Sequence, residues 1–247
     1  MLRRATPLVF LVATLSTACT SESHPATPAG LSPSTRLATL AAQGAGASYT
    51  ATYQFHQASP DTTATVQVWR ADPLLRVDVV AAGTTATLLR TSSGSYSCAM
   101  TSAKRTCLLV AGPNQPLPKP FDIAPANLFT TDLAQLSEQT GLYDVTAAPA
   151  STASGPAAGA RCFDVAPKAS GASAGTSASA SASPSPSPSA SSPAATVPAG
   201  RYCFTADGLL AGATYPSGNT VLLTNAQVGS PPAAQFTPYA KPTPLPS

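Results

Sequence analysis

The chain has 247 residues, only 9% of them charged, and its formal net charge is +3. Two of the 13 basic residues, Arg3 and Arg4, stand at the extreme amino terminus. The rest of the chain is nearly neutral, which excludes the basic surface that nucleic acid binding requires. The 26 prolines and the long runs of Ala, Ser and Thr predict folded segments interrupted by low-complexity ones.

The amino-terminal end has the parts of a bacterial export signal. Two arginines precede a short apolar core at residues 7–15, well below the roughly 20 residues of a spanning helix. Small residues then lead into Cys19, as in the lipobox of bacterial lipoproteins. Ser16 stands where an aliphatic residue is usual, with Leu15 one place early. We expect residues 1–18 to be a signal peptide and Cys19 to carry the lipid, with secretion after ordinary cleavage as the alternative.

A tether and a short helix precede the first strand. Residues 19–31 have no hydrophobic period and are predicted to be disordered. Ser32 and Pro33 then give the N-cap and first-turn residues of a helix, and Gly44 and Gly46 end it. Its apolar face consists of Leu37, Leu40 and Ala41.

The stretch from Tyr49 to Val110 alternates apolar and polar residues with a period of two. Turn signals recur about every ten residues, which favours an antiparallel meander. Asp78 alternates with arginine and is interpreted as part of a solvated face. A second helix is predicted over residues 127–141, capped by Thr130 or Thr131.

Further alternating segments complete a single domain made of residues 32–167 and 200–239. Between the two parts, residues 168–199 form an Ala/Ser/Pro-rich insertion that cannot bury enough apolar surface to fold. Residues 240–247 are predicted to be a disordered tail.

Five cysteines leave four once Cys19 is set aside, and four cysteines allow three pairings. Each of the pairs Cys98–Cys107 and Cys162–Cys203 would bridge two neighbouring predicted strands, so we favour these disulfides. No close Cys-x-x-Cys pair exists and no histidine adjoins a cysteine, so we expect no metal site.

Catalytic motifs are missing from the sequence. His56 is the only histidine of the predicted domain, and it lies on the polar side of the first strand without a nucleophile motif nearby. There is no nucleophile elbow and no phosphate loop. We therefore expect no catalytic residue, no cofactor and no enzymatic activity.

The order of elements resembles a known family. A tether, a helix, an aromatic first strand, a Tyr-x-Cys hairpin and the late segments CFDV and YCFTADGLL follow one another. This resembles the LolA-like fold, and in particular actinobacterial lipoproteins of the LppX and LprG type. The turn at Asp207-Gly208 is the nearest match, whereas the irregular lipobox and the long insertion depart from the pattern.

The resemblance implies an α+β fold: a strongly curved antiparallel β-sheet, or half-barrel, with short helices on its concave face. In that family the apolar space between sheet and helices receives acyl chains. The side chains that would line such a space here are Tyr53, Phe55, Val66, Val68, Val77, Val79 and Leu88. The alternative is that these residues fill a packed core.

The sequence thus predicts a non-enzymatic lipoprotein on the outer face of the plasma membrane. Its expected partners are that membrane, through the acylated Cys19, and a lipid or other apolar ligand held in the half-barrel. The alternative is an extracytoplasmic interaction or sensory module with a filled core.

Overall fold

Residues 30–113, 115–118, 124–168 and 197–244 are described by the computed structural model of the chain. Within them, twelve strands form one open sheet, antiparallel except for a single edge pair. The strands are β1 (Tyr49–Ala58), β2 (Asp61–Ala71), β3 (Leu74–Ala81), β4 (Thr84–Thr91), β5 (Gly94–Met100), β6 (Arg105–Ala111), β7 (Tyr143–Ala148), β8 (Arg161–Pro167), β9 (Gly200–Phe204), β10 (Leu210–Thr214), β11 (Thr220–Val228) and β12 (Thr243–Pro244). The helices are α1 (Pro33–Gly46), α2 (Ala124–Asn127) and α3 (Leu133–Glu138), and the π-helical turn Leu128–Asp132 joins the last two.

Strand β1 stands in the middle of the sheet. The meander β2 to β6 extends from one side of it, which confirms the strands predicted between Tyr49 and Val110. The chain then crosses the sheet through α2 and α3, enters β7 at the far edge, and returns strand by strand to β11, which pairs with β1. The two halves of the chain therefore meet along β1.

The sheet curves around its helices. Twelve strands laid flat would be about 53 Å wide, whereas the 14 residues of α1 give a helix about 21 Å long. Even so, one buried cluster joins the helices to side chains from β4 at one side and β8 at the other. A bulge opposite Thr52 and Tyr53 adds bending where β1 meets β11. The predicted α+β half-barrel, with helices on its concave face, is confirmed.

Helix α1 begins and packs as its sequence predicts. Ser32 Oγ accepts a hydrogen bond from the Thr35 backbone N–H at 3.2 Å, and Pro33 occupies the first turn. At its other end α1 meets the β9–β10 turn backbone to backbone. A Cβ on Gly44 would lie 2.2 Å from the Gly208 carbonyl oxygen, and Gly208 itself has a φ of +79°. Only glycine allows this approach.

The close approach makes a directional prediction about Gly44. We expect Gly44→Ala to lower the free energy of unfolding by about 2 kcal/mol or more, because the new methyl meets backbone atoms that cannot rotate away. Gly46→Ala, two residues later on the same helix with nothing within 4 Å, is the matched control and should be neutral or stabilising. Urea unfolding of both variants measures the difference, and equal stabilities would contradict the contact.

The second helical segment differs from the prediction at its start. It begins at Ala124, so Thr130 and Thr131 lie inside it rather than capping it. Their hydroxyls donate to the carbonyl oxygens of Ala126 at 3.2 Å and Asn127 at 3.1 Å. Such back-bonding by threonine distorts a helix locally, and here it accompanies the wider π-helical turn.

Asp78 is buried, so its interpretation as part of a solvated face is wrong. Only 5% of the residue is exposed, and its carboxylate accepts hydrogen bonds from Arg76 Nε at 2.8 Å and Nη2 at 2.7 Å. Thr87 Oγ1 donates to the same carboxylate at 2.8 Å. A bidentate pair of this kind with a third donor satisfies a charge that has been removed from water.

The carboxy-terminal segment is what covers Asp78. After β11 the chain crosses the convex face, where the Gln235 carbonyl accepts from Arg76 Nη1 at 3.1 Å. The Arg76 guanidinium lies 5.1 Å from the centre of the Trp69 ring and 5.9 Å from that of Tyr239. A small second core results; its buried members are Leu89, Tyr96, Cys98, Cys107 and Phe236.

Two domain boundaries lie at other residues than predicted. Val197 is 1% exposed and belongs to the core, so the folded domain resumes there and not at Gly200. Thr243 and Pro244 pair with β6, so the predicted tail contributes an edge strand. The signal peptide, Cys19, nearly all of the tether and most of the insertion lie outside the described residues. Among the described helices, none has the length and apolar character needed to cross a membrane.

Candidate functional site

Both favoured disulfides are present. Cys98 and Cys107 face each other across β5 and β6, and Cys162 and Cys203 do so across β8 and β9, each with a Cα–Cα distance of 4.0 Å. Cross-links of this kind contribute about 2–4 kcal/mol by restricting the unfolded chain. They fit an oxidising, extracytoplasmic compartment, and their role here is structural.

Most of the predicted lining residues are core residues. Five of them are at most 2% exposed and are packed against Leu37, Leu40 and Phe129 of the helices: Tyr53, Val66, Val68, Val77 and Leu88. The Tyr53 and Phe129 rings are in direct contact, with centroids 4.8 Å apart. Side chains therefore fill the centre of the half-barrel, where the family resemblance had implied space for an acyl chain.

The other two predicted lining residues, Phe55 and Val79, lie where the filled core ends. Two adjoining cavities of about 480 and 460 Å³ open there and share Phe55 and Pro125 as walls. We call them together the end cleft. It crosses the ends of β11, β1, β2 and β3, and Val79 lines the half nearest β3. The end cleft is the candidate binding site.

The wall formed by β10 and β11 is tied to the end of β1. Val221 lies directly opposite Phe55 in the sheet. In the β10–β11 turn, the Asn219 carbonyl accepts from the Tyr215 backbone N–H at 3.0 Å, and Asn219 Oδ1 accepts from the Ala58 N–H at 3.0 Å. These bonds hold the apolar side chains of this wall in fixed positions.

The helical wall contains an unsatisfied acceptor. Asn127, Leu128 and Asp132 of the π-helical region face the end cleft. Within the described part of the chain, no donor reaches the buried Oδ1 of Asn127. A buried acceptor without a partner costs about 1–3 kcal/mol, and this one belongs to a residue that lines the cleft. π-helical turns are themselves frequent at functional sites.

Two tyrosines behind the cleft keep their hydroxyl protons. Tyr202 and Tyr215 meet edge to face with centroids 6.0 Å apart, and the Tyr202 hydroxyl donates to the Pro198 carbonyl at 2.8 Å. Burial is the largest cause that raises the pKa of both phenols above the ordinary value, and the charge of Asp132 raises both further. Both remain neutral hydrogen-bond donors at physiological pH.

The third wall is the segment that sequence reasoning missed. The Val197 N–H donates to the Tyr143 hydroxyl at 3.1 Å and to Gln135 Oε1 at 3.2 Å. This fixes Pro198 and Ala199 along the cleft. The available signal was small: Val197 is the only large aliphatic residue of the sequence between Lys168 and Gly200.

His56 lies next to one acidic residue. It is half-exposed, with Nδ1 3.5 Å from Asp61 Oδ1 at the end of the β1–β2 hairpin. In the described ranges no group of three or more His, Cys, Asp or Glu residues is placed to hold a metal ion.

Comparison with solved structures gives likenesses at low identity. One is to the complex of MucA and MucB from Pseudomonas aeruginosa, with a TM-score of 0.45, 15% identity, and coverage of 83% of this chain and 60% of that chain. Another is to MucB in complex with MucA(peri), with a TM-score of 0.36, 13% identity, and coverage of 80% and 56%. The chain thus spans less than two thirds of either matched chain. No protein-family model and no curated protein matches the sequence, so membership of the LolA-like lipoproteins stays a prediction.

Two buried tyrosines give a matched test of this packing. The Tyr53 hydroxyl has no partner among the described residues, so we expect Tyr53→Phe to leave stability unchanged or raise it. Tyr202→Phe loses the bond to Pro198 and should lower the free energy of unfolding by about 1 kcal/mol. Chemical unfolding measures both, and a larger loss for Tyr53→Phe would contradict the hydrogen bonding described here.

Proposed function

We propose that the chain is an extracytoplasmic binding module that holds an extended segment of a partner protein in the end cleft. The observation that carries the proposal is an end cleft that combines apolar walls with polar side chains, among them Asn127 and Ser217. A peptide offers both apolar side chains and backbone hydrogen-bonding groups. An acyl chain offers no hydrogen-bonding group to the polar part of the lining.

The shape of the site supports a peptide as well. An acyl chain needs a deep apolar space, and the centre of the half-barrel is filled. The end cleft instead runs across the ends of four neighbouring strands, about 14 Å from the first to the last. An extended peptide covers that distance with about four residues. This favours an interaction module over carriage of a lipid within the sheet.

Anchoring by Cys19 belongs to the same proposal. A lipid on that residue, followed by a tether of about a dozen residues, would keep the binding domain close to the outer face of the membrane. The two disulfides support export from the cytoplasm, because such bonds persist in oxidising compartments.

Site-specific photo-crosslinking in cells tests the cleft. A photoreactive amino acid replaces Ser217, an exposed residue of the cleft wall, and Leu222, which is 42% exposed on β11, is the control position. We expect a protein adduct from position 217 and none from position 222. Adding Phe55→Ala should reduce that adduct roughly tenfold, because it removes the apolar wall shared by both cavities.

Two outcomes of the crosslinking, and one outcome of a separate measurement by native mass spectrometry, would contradict the proposal. Equal adducts at the two positions would mean nonspecific contact, and an adduct insensitive to Phe55→Ala would place the contact outside the cleft. A stoichiometric lipid found by native mass spectrometry, and lost in Phe55→Ala, would instead support the lipid carrier. The chain that carries both the photoreactive residue at position 217 and Phe55→Ala must first be shown to fold, by its disulfide content.

The anchor has an independent test. We expect cells given radiolabelled fatty acid to label the wild-type chain, and Cys19→Ala to lose the label and release the chain into the medium. Retention of label in Cys19→Ala would contradict acylation at this residue. If Cys19→Ala loses the label and the adduct at position 217 is unchanged, the lipid anchor is not needed for binding in the cleft.

A further inference from the structure

A third cavity, of about 440 Å³, lies at the opposite end of the concave face from the end cleft. Ala64 stands opposite Phe55 at the end cleft, and Arg70 at this cavity is six residues further along β2. Six residues of strand span about 20 Å. The filled core lies between the two sites, so this cavity is separate from the proposed peptide site.

Two arginines share this cavity. In the sheet, Arg70 lies opposite Leu75, and Leu75 lies opposite Arg90 on its other side. Residues directly opposite one another point to the same face of a sheet. The guanidinium groups therefore project side by side from β2 and β4, separated by one strand, although twenty positions part them in sequence.

Arg70 has a structural role that uses some of its donors. Its Nη1 donates to the Ala45 carbonyl near the end of α1 at 3.0 Å, and its Nη2 approaches the Phe129 carbonyl at 3.4 Å. Its Nε is buried and meets no acceptor among the described residues. This arginine is held in place by the helices on one side and brings its positive charge to the cavity.

Arg90 has no ion-pair partner among the described residues. Within the described ranges it makes no hydrogen bond and no ion pair with any side chain or carbonyl, and the one carboxylate lining the cavity, Asp72, is solvent-exposed. Burial is the main cause that lowers the pKa of Arg90, and the positive charge of Arg70 lowers it further. A guanidinium nevertheless stays protonated at physiological pH. Two like charges therefore face one cavity, and the carboxylate beside them forms no ion pair with either among the described residues.

We propose that Arg90, supported by Arg70, binds an oxyanion of the phosphate class in this cavity. A phosphate group carries up to two negative charges and accepts bidentate hydrogen bonds from a guanidinium fork. It would neutralise both arginines at once. Two neutral polar residues line the same site: Ser95, which is 3% exposed, and Gln115, whose Oε1 accepts from the Gly112 N–H at 2.9 Å.

The phosphate could be free in solution or belong to a phospholipid headgroup, and the experiment separates these sources. Inorganic phosphate is titrated into the full chain at constant ionic strength by calorimetry, and binding to phosphatidylglycerol vesicles is measured in parallel by flotation. Arg90→Gln removes the fork, whereas Arg161→Gln removes an equal charge from an exposed position on β8 and is the matched control.

We expect Arg90→Gln to weaken binding at least tenfold and Arg161→Gln to leave it within about twofold. Loss of phosphate binding in Arg90→Gln identifies free phosphate as a ligand, and loss confined to vesicles identifies the headgroup. No binding by the wild-type chain in either assay, or equal weakening by both substitutions, would overturn the proposal.

Stability in the absence of phosphate distinguishes binding from a structural role. An uncompensated cation is a cost to the folded state, so Arg90→Gln without phosphate should melt at the same temperature as wild type or higher. Phosphate should raise the melting temperature of wild type but not that of Arg90→Gln. A lower melting temperature for phosphate-free Arg90→Gln would assign Arg90 a structural role and overturn the proposal.

Discussion

The packing of helices against the concave face of an open sheet determines the rest of this structure. Each strand of the meander has one apolar side, and an open sheet cannot cover that side by itself. Helix α1 and the α2–α3 segment fill the centre, with Phe129 against Tyr53 and Gly44 against Gly208. The close backbone contact of the two glycines leaves no spare volume there. The end cleft opens where the helical layer ends.

The two ends of the concave face differ in chemistry because different elements close them. At one end, the π-helical region and the β10–β11 turn surround the end cleft with apolar walls and one acidic residue, Asp132. At the other end, the last residues of α1 meet strands that carry Arg70 and Arg90. The overall charge of +3 does not reveal that the two ends differ, because a net charge gives the sum of the charges and not where they lie.

Two of the sequence errors share one physical cause. Asp78 alternates with arginine as exposed residues do, but a segment some 160 residues later covers it. Val197 borders a low-complexity run, but Tyr143 and Gln135 bind its backbone from elements more than 50 residues earlier. Thr130 and Thr131 have the right chemistry for a cap and instead bond inside the helix. In the first two cases a long-range contact overrode a correct local tendency, which periodicity cannot detect. In the third, the helical segment begins earlier, at Ala124, and leaves both threonines inside it.

The sequence by itself determined the local structure: the alternation of β1 to β6, the start of α1 at Ser32 and Pro33, and the cysteine pairs in neighbouring strands. These depend on near neighbours and on a period of two, so they can be read along the chain. Tertiary structure alone decided which apolar residues became core and which line a cleft. Tyr53 and Phe55 lie on the same face of strand β1. The π-helical turn covers Tyr53, whereas Phe55 lies at the edge of the helical layer and lines the cleft. Tertiary structure likewise brought Arg70 and Arg90 together. Both pair with Leu75 on the strand between them, although they are 20 residues apart in the sequence.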